Sequence, residues 1–182
     1  AGFVRMALSD QSQNPLLGKW ETQHEIAPFN VIYDEHFQPA LEIACSEALL
    51  EVEEIIKNRN EPTFENTIEA LLSTGQLLDR IVSTFYTIAG AHTNKKRDEL
   101  LLIFSSKLSD HNTNIYSNTE LFDRIDRVVE TKHLNDLDQE QDRVLELIHR
   151  NFVRSGAALK GQNKTRFQDI SKQLAVIGTK IS

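Results

Sequence analysis

The sequence predicts an all-α fold, an antiparallel multi-helix bundle of about six helices with an extended N-terminal strap. Three observations predict it. Apolar residues recur three and four positions apart through most of the chain, and no segment alternates as a strand does. The length of 182 residues, 40% of them hydrophobic, is also enough for one globular unit with a real core.

The strap is expected at residues 1–33, which contain Pro15 and Pro28 and show no sustained period. Residues 1–5, before Met6, resemble a vector remnant. Residues 34–182 are expected to form the helical domain. Three apolar side chains are expected to attach the strap to the core: Trp20, Phe29 and Ile32.

The first helix is predicted from about Glu35 to Lys57, and the polar segment Asn58 to Pro62 ends it. Pro39 fits the first turn of this helix, where a missing N–H is tolerated. Its buried face is expected to comprise Phe37, Leu41, Ala44, Ala48, Val52 and Ile55.

A second, longer helix is predicted from Thr63 to Asn94, about 45 Å in length at 1.5 Å per residue. Gly75 lies on its apolar stripe and is interpreted as a mid-helix glycine that another backbone approaches closely. The stripe comprises Phe64, Ile68, Leu71, Gly75, Leu78, Val82, Phe85 and Ala89.

Four further helices complete the bundle. The third is predicted from about Lys96 to Tyr116, and the fourth begins with a capping box of Ser117 and Glu120. Asp138 with Gln141 begins the fifth, which ends near Gly156, and the sixth runs from about Asn163. Because its apolar stripe continues to Ile181, the chain is expected to be truncated within this last helix.

Five segments, in order and spacing, resemble the N-terminal helical region of the thimet-oligopeptidase-like zinc metallopeptidases. The segment Thr63–Asn94, with FENTI and AHTN, is most similar to the bacterial peptidyl-dipeptidases, and an oligopeptidase A-like endopeptidase is the alternative. The five segments are Asn14–Leu17, Pro28–Leu41, Thr63–Asn94, Ile115–Asp126 and His149–Leu159.

The resemblance implies a zinc enzyme whose two helical halves enclose a channel and hydrolyse short peptides, releasing dipeptides from free C-termini. In that family an HExxH helix and a downstream Glu hold the zinc, and the Glu between the histidines is the general base. This chain would contribute channel wall, and a missing C-terminal catalytic domain would supply the zinc ligands. The chain alone is therefore expected to be inactive, with no catalytic, cofactor-binding or metal-binding residue.

Two patterns of His and Glu in the sequence resemble metal-binding motifs. His24-Glu25 is followed by Pro28 at the position of the second histidine of HExxH, so it is not the zinc motif. Glu130 with His133 and Glu146 with His149 are both ExxH pairs, as in di-iron bundles. The two histidines are expected to differ in height by about 15 Å, which is too far for a shared dinuclear centre.

The remaining candidate side chains are interpreted as structural. His92, in AHTN, is expected to satisfy late helix carbonyls, with a role in the channel wall as the alternative. His36 and His111 have no ligand partner at metal spacing. Cys45 is the only cysteine, which excludes an intrachain disulfide and a Cys-rich zinc site, and it is expected to act as a small buried hydrophobe.

Charge and motifs exclude several function classes. The net charge of −7 argues against nucleic-acid binding, and the basic run Lys95–Arg97 is expected to be a solvated helix start. No apolar run approaches the roughly 20 residues of a membrane span, so a cytoplasmic protein is expected. Serine-hydrolase and nucleotide-binding motifs are absent. The alternative from another class is a stand-alone helical interaction module without catalytic activity.

Overall fold

The computed structural model describes residues 14–20, 27–91, 94–134, 136–159, 165–167 and 169–170. Every regular element in these ranges is helical, which confirms the predicted all-α class. None of the helices found there is long and apolar enough to cross a membrane. Six α-helices have both ends within these ranges: α1 (Phe37–Lys57), α2 (Ala70–Leu72), α3 (Gln76–Ala91), α4 (Lys95–Tyr116), α5 (Thr119–Thr131) and α6 (Gln139–Arg154).

The chain divides into two compact units, each with its own core. Unit 1 comprises residues 1–51 and 74–111, and unit 2 comprises residues 52–73 and 112–182. Helices α1 and α4 contribute residues to both units.

The core of unit 1 is aromatic at its centre. The rings of Phe85 and Phe104 stack with centroids 4.0 Å apart, and the Phe37 ring packs edge-to-face with both, at centroid distances of 5.2 Å and 6.2 Å. Such ring pairs stabilise a core beyond the apolar area they bury. Aliphatic side chains surround the three rings: Leu16, Ala27, Ile32, Ala40, Leu41, Ala44, Leu78, Ile81, Ala89 and Leu100.

The segment before α1 attaches to this core mainly as predicted. Leu16 is fully buried, Ile32 is buried, and Trp20 packs partly buried against the same cluster. Phe29 was expected to join them, but it is 47% exposed. The reason lies in the local turn, in which Val31 N–H donates to the Pro28 carbonyl at 3.0 Å.

The core of unit 2 also contains three phenyl rings, those of Phe64, Phe122 and Phe152. Phe152 is fully buried and contacts Tyr116, with ring centroids 5.0 Å apart. The buried members of the cluster are Val52, Ile55, Phe64, Ile68, Leu121, Phe122, Ile125, Val128, Leu145, Phe152 and Ala157.

Helix α1 confirms its prediction closely. A short 3₁₀ turn, Asp34–His36, leads into it, and Pro39 lies in its first turn. All six residues of the predicted face are buried, with exposures of 6% or less. Phe37, Leu41 and Ala44 join the core of unit 1, whereas Val52 and Ile55 join that of unit 2.

The prediction of one helix from Thr63 to Asn94 is wrong, because the chain turns at residues 73–75. A π-helical turn, Phe64–Glu69, leads into the short α2, and α3 begins only at Gln76. Gly75 adopts a φ of 75°, the left-handed region that glycine enters without a steric penalty. The apolar stripe is consequently shared, with Phe64 and Ile68 in the core of unit 2 and Leu78, Phe85 and Ala89 in that of unit 1.

The predicted close approach of another backbone to Gly75 is also wrong. A Cβ added there would lie 3.7 Å from the Ala48 Cβ, an ordinary contact. Its N–H donates to Oε2 of Glu51 at 2.7 Å. The left-handed backbone, rather than crowding, is what the glycine provides.

The other helix boundaries agree with the sequence to within two residues where the structure describes them. Helix α5 is capped by Asn118, which accepts from Leu121 N–H at 2.9 Å, so the predicted Ser117 cap is wrong by one position. Asp138 and Gln141 form the predicted capping box of α6. Gly156, with a φ of 80°, follows its end. Residues 165–167 and 169–170 are helical, and the rest of the predicted last helix, like Met6, lies outside the described residues.

Candidate functional site

The family-like segments of unit 1 are joined through two side chains, Asn14 and Arg80. The Asn14 side chain accepts from Leu16 N–H at 3.0 Å and donates to the His36 carbonyl at 2.9 Å. Nη2 of Arg80, in α3, donates to the carbonyls of Leu16 at 2.9 Å and Gly18 at 3.1 Å.

Arg80 also stacks on the indole of Trp20. Its Cζ lies 4.6 Å from the ring centroid, within the range of a cation–π interaction. The indole in turn donates to the Pro15 carbonyl at 2.8 Å. The Nε of Arg80 is buried and has no protein partner among the described residues.

Unit 2 contains a second arginine of this kind, Arg124 in α5. Its Nη1 donates to the carbonyls of Asn58 at 2.6 Å and Asn60 at 3.5 Å, just beyond the C-terminus of α1. Its Nη2 lies 3.2 Å from Oδ1 of Asn66 and 3.4 Å from Oγ1 of Thr67. Burial lowers the pKa of the guanidinium, whereas the charge of Glu61 raises it. An arginine stays protonated at neutral pH.

Asn66 has a second role, because it forms a capping box with Thr63 at the start of the π-helical turn. Its side chain accepts from Thr63 N–H at 2.9 Å, and Oγ1 of Thr63 accepts from Asn66 N–H at 3.2 Å. The FENTI segment therefore supplies both the start of its own helix and an acceptor for Arg124.

The AHTN segment and the start of the helix that follows it contact Asp34, which lies in the 3₁₀ turn before α1. Nε of Arg97 donates to Oδ1 of Asp34 at 2.9 Å, and both side chains are less than 20% exposed. Asn94 donates to Oδ2 of the same carboxylate at 3.4 Å and accepts from Arg97 N–H at 2.9 Å. The basic run 95–97 does begin a helix, as predicted, but Arg97 is a structural ion pair rather than a solvated charge.

In unit 2, the last two family-like segments meet at His149 and Asp126. Nε2 of His149 lies 3.0 Å from Oδ1 of Asp126, and the imidazole stacks on Phe122 with centroids 5.4 Å apart. All five segments thus use their polar side chains to hold neighbouring elements together.

The histidines of the two ExxH pairs, His133 and His149, lie in different environments. His133 is exposed in the 3₁₀ turn Lys132–Leu134, whereas His149 is half-buried in α6. Nζ of Lys132 lies 2.7 Å from Oδ1 of Asp142 and 3.5 Å from Oε1 of Glu146. Within the described ranges, no three His, Cys, Asp or Glu side chains are grouped so that they could hold a metal ion.

The other candidate side chains have individual environments. Nδ1 of His36 accepts from Tyr33 N–H at 3.1 Å. His111 is buried, its Nδ1 has no partner among the described residues, and burial lowers its pKa. Burial likewise raises the pKa of the Cys45 thiol, which packs against the core of unit 1 and is poorly suited to nucleophilic chemistry. His24 and His92 lie outside the described residues.

Unit 1 has a surface cavity of about 330 Å³ at the start of α1. Two of its lining carboxylates are already engaged, Asp34 by Arg97 and Glu35 by Lys96, whose Nζ lies 3.4 Å away. A backbone hydrogen bond, followed by Lys96, lowers the pKa of Glu35, so this side chain is a charged contact rather than a proton donor at neutral pH. The side chains that line the cavity therefore provide no acid–base pair for catalysis.

Sequence reasoning missed both arginines, although one signal was present. Arg124 falls three residues after Leu121 and four before Val128, on the apolar stripe of α5. A charged residue at such a position must find buried partners. The carbonyls that provide them could not be read from the pattern.

Known proteins similar to this chain are peptidases. It is 34% identical over 166 residues to the dipeptidyl carboxypeptidase of Salmonella typhimurium and 33% identical to that of Escherichia coli, covering 91% of this chain and 24% of each relative. It is 26% identical over 172 residues to oligopeptidase A of Escherichia coli, covering 93% of this chain and 24% of the relative. No model of a known protein family matches the chain.

The matches run through almost the whole of this chain, whereas the chain spans about a quarter of the length of the curated relatives. Identity is higher to the dipeptidyl carboxypeptidases than to oligopeptidase A, in agreement with the resemblance of the Thr63–Asn94 segment. The chain belongs to the family of dipeptidyl carboxypeptidase and oligopeptidase A, the thimet-oligopeptidase-like peptidases, and corresponds to their N-terminal part.

Proposed function

We propose that this chain is the helical N-terminal part of a peptidase that hydrolyses short peptides and releases dipeptides from their C-termini. The observation that carries the proposal is the 34% identity to a dipeptidyl carboxypeptidase over 91% of the chain. The lower identity to oligopeptidase A, 26%, favours dipeptide release over internal cleavage.

Within such an enzyme, the chain would supply structure rather than chemistry. The polar side chains of its family-like segments are occupied in hydrogen bonds and ion pairs that hold each unit together. The described residues do not fit a zinc site, because no three potential ligands are grouped. We place the zinc, its ligands and the general base in a catalytic domain outside this chain, which would form part of the channel wall.

We also place the enzyme in the cytoplasm. The support is that the sequence has one cysteine, Cys45, which cannot form an intrachain disulfide. Fractionation of cells that express the longer gene product, followed by immunodetection, tests this assignment.

The test of the function is hydrolysis of short peptides, with mass spectrometry of the products. We expect the longer gene product to release dipeptides from free C-termini, to lose this activity with a chelator and to regain it with zinc. The 182-residue chain should release none under any of these conditions. Chelator-sensitive dipeptide release by the chain itself would contradict the proposal, as would internal cleavage alone by the longer protein.

A stand-alone helical interaction module is the second candidate, favoured by the lack of a catalytic group among the described residues. The same assay separates the two functions. A longer gene product that hydrolyses no peptide under any metal condition would favour the module.

A further inference from the structure

Four side chains on α6 form one exposed face: Arg143, Leu147, Arg150 and Arg154. They follow one another at intervals of four, three and four residues, which places them on one side of a helix. All four are exposed, and Leu147, in the middle, is 40% exposed. We call these four residues the arginine face.

The three guanidinium groups of the arginine face have no carboxylate within 4.0 Å among the residues that the structure describes. The nearest acidic residue along the helix between them is Glu146, and it is engaged by Lys132. The arginine face therefore concentrates three positive charges on one side of α6, in a chain whose net charge is −7.

The helix dipole accounts for only part of the arginine face. A cation in the last turn is stabilised by the helix C-terminus, which explains Arg154. Arg143 lies in the second turn after the Asp138 cap, near the positive end of the dipole, where a cation gains nothing. Nucleic acid is a poor partner for so few arginines on an acidic chain.

We propose that the arginine face packs against a carboxylate-bearing surface of the remaining polypeptide in a longer protein. This inference rests on the proposed function, in which such a remainder exists, and the relatives are about four times as long as the part they share with this chain. Arginine forms bidentate pairs with carboxylates, and interfaces are enriched in arginine around an apolar centre, here Leu147. The occupant is therefore an acidic protein surface of the same polypeptide.

Arginine-selective labelling with phenylglyoxal, mapped by mass spectrometry, tests the proposal on the 182-residue chain and on the longer gene product. We expect Arg143, Arg150 and Arg154 to be labelled in the chain and to lose labelling in the longer protein. Arg59, which is exposed in unit 2 and outside the arginine face, is the matched control and should be labelled in both. Equal labelling of the arginine face in the two proteins would overturn the proposal.

Charge removal provides the second measurement. The double variant Arg143→Gln/Arg150→Gln should lower the melting temperature of the longer protein and leave that of the 182-residue chain nearly unchanged, whereas Arg59→Gln should leave both nearly unchanged. If the melting temperature fell equally in the chain and in the longer protein, the arginines would stabilise unit 2 itself, and the proposed interface would be wrong.

Peptide hydrolysis is measured on the same preparations, so the two proposals fail separately. If the arginine face loses labelling in a longer protein that hydrolyses no peptide, the interface is supported and the proposed function is contradicted. Loss of labelling that requires an added peptide would overturn the interface and place the peptide on the arginine face instead.

Discussion

Arg80 in unit 1 and Arg124 in unit 2 bind their surroundings in the same way. Each donates to two backbone carbonyls that are two residues apart, and each keeps a buried Nε without a protein partner among the described residues. In each case an asparagine, Asn14 or Asn58, begins the bound loop by accepting from the N–H two residues on, at 3.0 Å. The two loops share no other sequence feature that would have revealed a repeat.

The surroundings of the two arginines differ. Arg80 stacks on the indole of Trp20, and Leu16 of the segment that it binds belongs to the core of unit 1. Arg124 has no such ring contact in the described residues and instead donates to the side chains of Asn66 and Thr67 as well as to its two carbonyl partners. The stability of unit 2 should therefore depend more on Arg124 than the stability of unit 1 depends on Arg80.

The largest expected effect is that of Arg124→Met. The substitution keeps much of the side-chain volume and leaves the Asn58 carbonyl and the Asn66 side chain without their charged donor. We expect a loss of about 3 kcal/mol in the free energy of unfolding, since hydrogen bonds to charged groups are the stronger ones. Urea denaturation followed by circular dichroism measures it. Arg59→Met, at an exposed neighbouring position, should change stability by about 0.5 kcal/mol or less.

Arg80→Met should cost less, about 2 kcal/mol, because two carbonyls rather than four oxygens lose their donor and Trp20 keeps its other contacts. The same urea experiment measures it. Arg80→Lys is the informative companion, since it keeps the charge but not the planar fork, and it should recover only part of the loss. A larger cost for Arg80→Met than for Arg124→Met would reverse the comparison between the two units.

The two left-handed glycines sharpen the comparison further. In unit 1, the Cβ of Gly75→Ala would make only an ordinary contact with Ala48. The loss in the free energy of unfolding should therefore come from the left-handed backbone alone, about 1 kcal/mol. In unit 2, Gly156→Ala would place a Cβ 2.7 Å from the Phe167 ring. It should lower the free energy of unfolding by more, about 2 kcal/mol. Thermal unfolding of both variants tests this order. Equal costs would show that the Phe167 ring moves aside freely.

The smallest effect concerns pH and His111 in unit 1. Burial lowers the folded-state pKa of this imidazole, so its contribution to stability is complete above the unfolded pKa of about 6.5 and declines as the pH falls below it. His111→Leu removes a buried nitrogen without a partner, so we expect unchanged or higher stability at pH 8 and a smaller loss between pH 8 and pH 5. His133→Leu, at an exposed position, is the control. A pH dependence of unfolding equal to that of the parent chain would contradict this account.

Much of the fold could be predicted because helical periodicity is a local property of the sequence. The face of α1 and the capping box of Asp138 and Gln141 need only residues three and four apart. The turn at Gly75 was missed because an apolar stripe runs through it without interruption, and a helix tolerates a single glycine at a modest cost. Whether a glycine bends or continues a helix depends on what its neighbours pack against.

The candidate site was less predictable for a related reason. Motif resemblance identified the segments that matter, but the pairs Asp34 with Arg97 and Asn66 with Arg124 join residues about 60 positions apart. Spacing along the chain carries no information on such pairs. A polar residue on an apolar stripe was the only local indication.

The indole beneath Arg80 gives this chain a built-in optical probe. Trp20 is the only tryptophan of the sequence, and it lies in unit 1, whereas helical ellipticity arises from both units. Fluorescence emission therefore reports the melting of one unit, and circular dichroism reports the sum. Superimposable curves would indicate a single cooperative transition, and separated curves two, without any added label.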